Sequence, residues 1–407
     1  MHKIKPLRQI RLFGLLLCLA VLFAGAMEVQ AKKCSSFDEF SSAVGNMVKS
    51  NTPKTSQASF GEWDSGRLIV QAKGKFDPSK YSPSSVIEGP GRLFVLQFAS
   101  PSKAKSAYKK IVSDGKIIYA EPDSWCFSSG TYQSSGVPTL SYGSKVTGLA
   151  DYAAKLSVPS SRKVTVAVVD SGVSAHSLFG SRLRKGYDFV EMDSDATDKT
   201  GHGTHVAGII VDSTPNLNVR ILPVRVLNTN GSGMNSVVGL GVRYAAEKGA
   251  KVINLSLSGD HSAFVESCIT YAVSKGCVVC VASGNNGRRM IKSNDCPGHL
   301  SKKGVITVGS LSTTLARSSF SNYGAALDIT APGESIKSSY LNGGYKNMNG
   351  TSMATPYVSA AAAIYRLRYP SDSAAGIKKR VLNSTVDKGK SGRDDYYGRG
   401  MLKMPGS

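Results

Sequence analysis

Acidic side chains are scarce in this 407-residue chain: 28 Asp and Glu stand against 50 Lys and Arg, for a net charge of +22. Such an imbalance raises the question of nucleic acid, but the sequence lacks a basic tract to carry it. No run holds five like charges, and the densest spots are Arg288-Arg289, Lys302-Lys303 and Lys378-Lys379-Arg380. The excess is spread as +3 over residues 1–31, +5 over 32–140 and +14 over 141–407. Charge dispersed in this way describes solvated faces or attraction to anionic surfaces and acidic substrates, and no nucleic-acid module is evident. A membrane-spanning run is missing too. The apolar stretch from Leu12 to about Met27 falls short of the ~20 residues a bilayer requires. Lys3, Lys5, Arg8 and Arg11 precede it and Val29-Gln30-Ala31 follow, so residues 1–31 read as a secretory signal peptide and the protein as secreted. Leu17 before Cys18 argues against a lipid anchor. Internal repeats and low-complexity segments are also absent.

Few cysteines remain once that leader is set aside: Cys34, Cys126, Cys268, Cys277, Cys280 and Cys296. An even number in an exported chain permits disulfides, and Cys34 with Cys126 would close the N-terminal module on itself. Cys277 and Cys280 sit in an apolar run, 277–282, which reads as a buried strand rather than as a redox or zinc pair. Residues 32–136 form a small α+β module, with helices expected at 36–48 and 101–112 and strands at 67–72, 92–98 and 116–120. No catalytic cluster lies within it. Its end, 127–141, is rich in Ser, Gly, Pro and Thr and reads as an exposed linker.

From 137 onward the pattern changes. Strands at 163–169, 219–227, 251–257, 277–282 and 305–310 alternate with helices at 205–211, 236–248, 264–275 and 351–365. The strands are continuous apolar runs, which a sheet covered on both faces requires. The expectation is an α/β, doubly wound, mostly parallel sheet with helices on both faces, its site at the carboxyl ends of the strands.

Glycine, at 42 residues, is abundant, and it gathers where polar residues meet strand and helix ends. Asp170 closes the strand 163–169 and precedes Ser171-Gly172. His202 and His205 lie in Gly201-His202-Gly203-Thr204-His205, with His202 expected exposed at a helix entrance. Zinc helices space their histidines by four with a glutamate between, which this string lacks. Asn285 follows Ser283-Gly284 at another strand end, and Ser352 opens the Ala-rich helix, where free N–H groups favour a developing anion. Each residue alone has an ordinary explanation as a turn former, a packed histidine or a helix cap. Asp, His and Ser in that order are harder to explain singly.

In these motifs, over about residues 141–402, the chain resembles the subtilisin-like serine proteases, the subtilases. The resemblance implies that Asp170 is the acid, His202 the base and Ser352 the nucleophile, with Asn285 a donor to the oxyanion. Ser256, Leu257 and Ser258 would lie on one substrate-binding strand, which lines a wall of the first pocket, and Gly233 on the facing one, with Ser283 and Gly284 also binding substrate. Ser258 stands where the family often has glycine and would narrow that pocket. The resemblance also implies a protease acting on peptides and proteins as a monomer. Residues 32–136 resemble its propeptide, a folding assistant and intramolecular inhibitor. Catalysis of this kind requires no cofactor. A structural calcium is left open: residues 212–218 look too short for a loop that binds it in many relatives, whereas Asp193, Asp195 and Asp198 form a hard-oxygen cluster. A dedicated processing protease and a non-catalytic peptide binder on the same fold are the alternative readings.

Overall fold

The computed structural model describes residues 29–51, 62–128, 130–132 and 142–406. The leader up to residue 28 and the expected boundary at 136/137 lie outside the described residues. The chain divides into two compact units, Met1–Phe40 with Gly66–Ala120, and Ser41–Ser65 with Glu121–Ser407.

The smaller unit is built on a five-stranded sheet of order β1-β3-β4-β2-β5. Its strands are β1 (Gln30–Lys33), β2 (Arg67–Ala72), β3 (Ser85–Gly89), β4 (Leu93–Gln97) and β5 (Ile117–Pro122). Gln30 and Ala31, expected at the end of the leader, begin β1. Helix α1 runs Phe37–Asn51, with only its residues up to Phe40 in this unit, and α2 runs Pro101–Ile111. Ser100 caps α2 by accepting from the Lys103 N–H, and Pro101 at the first helical position has no N–H to leave unsatisfied.

The larger unit carries β6 (Trp125–Ser128) and β7 (Thr131–Tyr132), then the short helices α3 (Tyr142–Val146) and α4 (Leu149–Lys155). There follow β8 (Val164–Asp170), β9 (Tyr187–Asp188), α5 (His202–Asp212), β10 (Val219–Arg225), β11 (Ser232–Met234) and α6 (Asn235–Glu247). Next come β12 (Val252–Leu255), β13 (Leu257–Gly259), α7 (Ala263–Ser274), β14 (Val278–Ala282), β15 (Val305–Leu311) and β16 (Ile329–Pro332). The chain ends with β17 (Ile336–Ser339), β18 (Tyr345–Asn349), α8 (Thr351–Arg368), α9 (Ala374–Leu382), β19 (Thr385–Val386) and β20 (Met401–Leu402).

Nine of these strands form one sheet, β19-β20-β16-β15-β14-β12-β8-β10-β9, parallel except at the β19–β20 edge. Val164, Val166 and Val168 of β8 are buried with Val206, Ile209 and Ile210 of α5 and the alanines 360–363 of α8 in one core. Small alanines let α8 lie close on β14 and β15, so its Thr351–Leu367 span is wholly buried. The doubly wound α/β architecture is therefore the one expected. Strand β8 pairs with β10 on one side and β12 on the other, so the strand order reverses around it, and in open α/β sheets ligands bind at the carboxyl ends of the strands where it reverses.

Three local readings change. The helix expected at 205–211 begins three residues earlier, at His202, because Gly203 belongs to its first turn. A Cβ on Gly203 would stand 2.1 Å from the Gly172 carbonyl, so glycine here is what lets the helix start against the loop after β8. The strand expected at 251–257 breaks at Ser256 into β12, which stays in the large sheet, and β13, which joins a three-stranded sheet of order β11-β6-β13. Finally, all six cysteines among the described residues are free thiols, so the expected Cys34–Cys126 bridge is not formed. Cys277 and Cys280 are buried as expected, and burial pushes their thiols up to about 11 and about 12.

Candidate active site

At the carboxyl end of β8, Asp170 is fully buried and its Oδ1 accepts from the Ser171 N–H at 2.7 Å. The same oxygen lies 2.7 Å from His202 Nδ1, which donates to it. His202 is 2% exposed, where the sequence suggested an open position. Burial alone would lower the pKa of this imidazole, but the Asp170 carboxylate, its hydrogen bond and the charge of Asp198 outweigh that and raise it above 6.5. His202 Nε2 makes no hydrogen bond among the described residues.

What holds His202 there is Asp198. Its Oδ1 accepts from Gly201 N–H (2.9 Å) and Ser171 Oγ (2.9 Å), and its Oδ2 from Thr204 N–H (2.9 Å) and Thr204 Oγ1 (2.7 Å). Ser171 Oγ in turn accepts from Gly203 N–H at 3.0 Å. The first N–H groups of α5 thus find acceptors in one buried carboxylate and one hydroxyl, and the negative charge suits the helix N-terminus. This accounts for one of the three aspartates read as a calcium cluster. Asp193 and Asp195 are spent on local turns, accepting from Asp195 N–H and Thr197 N–H, and the three carboxylates do not converge as a metal-holding group. Nothing in the string at 193–198 distinguishes a helix anchor from a ligand. The difference lies in Ser171 and Thr204, which reach Asp198 only in the fold.

His205, one turn further on, has the opposite surroundings. Its Nε2 donates to the carbonyls of Ile336 and Lys346, each at 3.0 Å, and burial pushes its pKa down to about 3. It is a neutral imidazole tying α5 to β17 and β18.

Ser352 is the second residue of α8 and fully buried, its Oγ donating to the Ser256 carbonyl at 2.8 Å. Ser256 Oγ donates back to the Ser352 carbonyl at 2.9 Å and is itself held by Asn254 Nδ2 at 2.9 Å. Asn254 therefore positions the end of β12 against α8. Beside them, Asn285 Oδ1 accepts from Thr351 N–H (3.0 Å) and Thr351 Oγ1 (2.9 Å). Because the acceptor end of this amide faces Thr351, its donor end, Nδ2, is the one it presents elsewhere. Gly284 turns the chain with φ 97°, and Ser283 Oγ donates to the Asn322 carbonyl at 3.2 Å. Asn322 Oδ1 accepts from Asn286 N–H at 2.9 Å, so this loop also rests on a residue without a sequence signal.

The remaining candidates line a cleft that the chain itself enters. Strand β6 lies antiparallel between two strands, pairing Phe127 with Ser232 and Ser258, and Cys126 with Gly233 and Gly259. Ser128 pairs with Leu257, and its N–H donates to the Gly231 carbonyl at 3.0 Å. Ser258 and Asn285 line a pocket together with Phe127, Ser128 and Gly130. A Cβ on Gly130 would lie 3.0 Å from His202 Nε2 and 3.3 Å from the Met353 sulfur, which puts this backbone over the imidazole. Beyond it, β7 pairs with β18. An extended backbone held on both edges and carried past a buried imidazole is the posture a peptide needs for attack at a carbonyl.

Residues 161–400 match the model of the Subtilase family, Peptidase_S8. The chain is 43% identical over 225 residues to Alkaline serine exoprotease A of Vibrio alginolyticus, which covers 54% of this chain and 41% of that protein. It is 37% identical over 309 residues to the Thermophilic serine proteinase of Bacillus sp. (strain AK1), 73% of this chain and 74% of the relative. Subtilisin DY of Bacillus licheniformis is 37% identical over 250 residues, 59% of this chain and 89% of the relative. Among solved structures, that of a cold adapted subtilisin-like serine proteinase aligns with a TM-score of 0.55 and 37% identity, over 60% of this chain and 89% of the other.

Proposed function

This chain belongs to the subtilase family of serine proteases, and from that premise we propose that it is a secreted endopeptidase made as a self-processing precursor. Ser352 is the nucleophile, His202 the general base and Asp170 the group that orients the imidazole. The observation that supports this most directly is the threading of β6 between β11 and β13, which brings the backbone of Gly130 to His202 Nε2.

Each step follows from the groups in place. A serine hydroxyl is a weak nucleophile until a base takes its proton. Ser352 Oγ turns from the Ser256 carbonyl toward Nε2, which has no hydrogen bond to give up. Oγ adds to the peptide carbonyl as its proton passes to Nε2, and Asp170 stabilises the imidazolium that forms. The charge on the carbonyl oxygen is met by Asn285 Nδ2 and by the N–H of Ser352 at the start of α8. The imidazolium then protonates the leaving amine, and water completes hydrolysis of the acyl-enzyme. These groups suffice for the reaction. Calcium, if bound, has a structural role.

The first substrate is the chain's own bond within residues 128–130, and the N-terminal module acts as inhibitor until it leaves. Later substrates are peptides and proteins that take the place of β6, with Ser258 shaping the first pocket. The test is expression of the wild type beside Ser352→Ala with N-terminal sequencing of the products. The wild type should be cut within 128–130 and the variant should stay whole and inactive. A Ser352→Ala protein that still matures would overturn the reading.

A further inference from the structure

Three side chains outside the candidate active site converge where β13, α7 and the loop before β15 meet. Ligand atoms of His261, Glu266 and His299 lie within 4.8 Å of one another. His299 Nε2 is 3.0 Å and His261 Nε2 3.1 Å from the same oxygen, Glu266 Oε1. Two imidazole nitrogens this close to one carboxylate oxygen need an electron-pair acceptor between them, either an N–H proton on each ring or a metal ion.

We propose that His261, Glu266 and His299 bind a divalent transition-metal ion of the zinc or cobalt class. His299 Nδ1 donates to the Asp295 carbonyl at 3.2 Å, the outer hydrogen bond that metal-ligating histidines make, and in the neutral ring this leaves the Nε2 lone pair facing Glu266. His261 Nε2 has no hydrogen-bond partner among the described residues despite its closeness to Oε1. Metal bonds of about 2.1 Å at tetrahedral angles separate ligand atoms by about 3.4 Å. The 3.0 and 3.1 Å edges reach that spacing with a small opening of the side chains. Two imidazoles and one carboxylate suit zinc, cobalt, nickel or copper, whereas calcium takes oxygen ligands. The fourth position is open to water, since the side chains of His261, Glu266 and His299 are 30%, 17% and 12% exposed.

Lysine opposes the metal. Lys302 Nζ is 3.7 Å from Glu266 Oε2, the oxygen not shared by the histidines, and Lys292 adds positive charge near His261. Replacing Lys302 with methionine should therefore strengthen binding. The ion would join α7, which carries Glu266, to two other chain segments. One is the end of β13, whose Gly259 exchanges N–H···O bonds of 3.0 and 3.1 Å with Cys296. Another carries Asp295, which accepts from Asn322 Nδ2 at 2.9 Å behind the Asn285 turn. Metal binding should thus stiffen one wall of the cleft without touching the reacting atoms.

The experiment uses the full untagged chain carrying Ser352→Ala, titrated with zinc alone by calorimetry and with cobalt(II) alone by visible absorption. One ion per chain, a cobalt band of imidazole–carboxylate type and a raised Tm are expected. His261→Gln and His299→Gln should each weaken zinc at least about a hundredfold, more than loss of an outer partner costs. No cobalt band in the parent would overturn the proposal whether or not the variants fold. Zinc stoichiometry unchanged in the double variant, or displacement of cobalt by calcium, would overturn it as well.

Discussion

Two clusters in the larger unit pair imidazole with carboxylate, and they do so in opposite ways. Around Asp170 and His202 the ratio is one to one, with side chains 0% and 3% exposed, and the second nitrogen points into a cleft where the chain's own backbone lies. Around Glu266 two imidazoles share one oxygen, half-open to water and edged by lysine. In the proposed mechanism the first arrangement moves a proton: the buried carboxylate keeps a proton on Nδ1 and makes Nε2, the nitrogen left to accept, more basic. The second, as the proposed metal site, would hold a cation in place. Stoichiometry and burial, more than residue type, set the difference.

The comparison breaks most visibly at Asp170. Asp170→Asn should lower kcat/KM by about four orders of magnitude, since an amide no longer fixes the tautomer or stabilises the imidazolium. The surviving activity should show its acid limb at lower pH, because the carboxylate is what raises His202 against its burial. An unchanged limb would show that Asp170 does not set this pKa. Next is Asn285→Ala, expected to reduce kcat by about a hundred- to a thousandfold with little change in KM. A loss confined to KM would assign Asn285 to ground-state binding instead.

His205→Phe sharpens the contrast within α5. It removes the donor to the Ile336 and Lys346 carbonyls and should cost about 1–3 kcal/mol of stability in denaturant titration, while leaving the pKa of the acid limb in place. A shifted limb would mean that the two histidines act together. The smallest effect is the pH dependence of stability. The His202 pKa is raised on folding, so its contribution is fully present below about 6.5 and lost as pH rises through the folded value. Asp170→Asn should flatten that part of the stability–pH curve, and an unaltered slope would remove His202 as its source.

Asp170, His202, Asn285 and Ser352 were legible because each sits in a short glycine-bearing string at the end of an apolar run, where side chains are presented at a strand or helix terminus. The parallel sheet was legible because its strands are apolar without alternation. Asp198 was legible only as one acidic residue among three, since its partners Ser171 and Thr204 stand 27 and 6 residues away. The break at Ser256 has no local signal, because the apolar run continues through a strand that changes sheets. Asn254 and Asn322 carry no local pattern, and His261, Glu266 and His299 are spread over 39 residues without motif spacing.

The sequence by itself determined which residue types stand at the ends of the sheet, through hydrophobic runs and turn chemistry that act within a few residues. Tertiary structure alone decided what each of them faces. It turned one histidine of α5 to a carboxylate and the other to two carbonyls, gave the Ser352 hydroxyl to the Ser256 carbonyl, and laid β6 in the cleft beneath which His202 is buried. Hydrogen bonds and desolvation depend on distances of a few ångströms, and those are set only when segments far apart in the chain pack together.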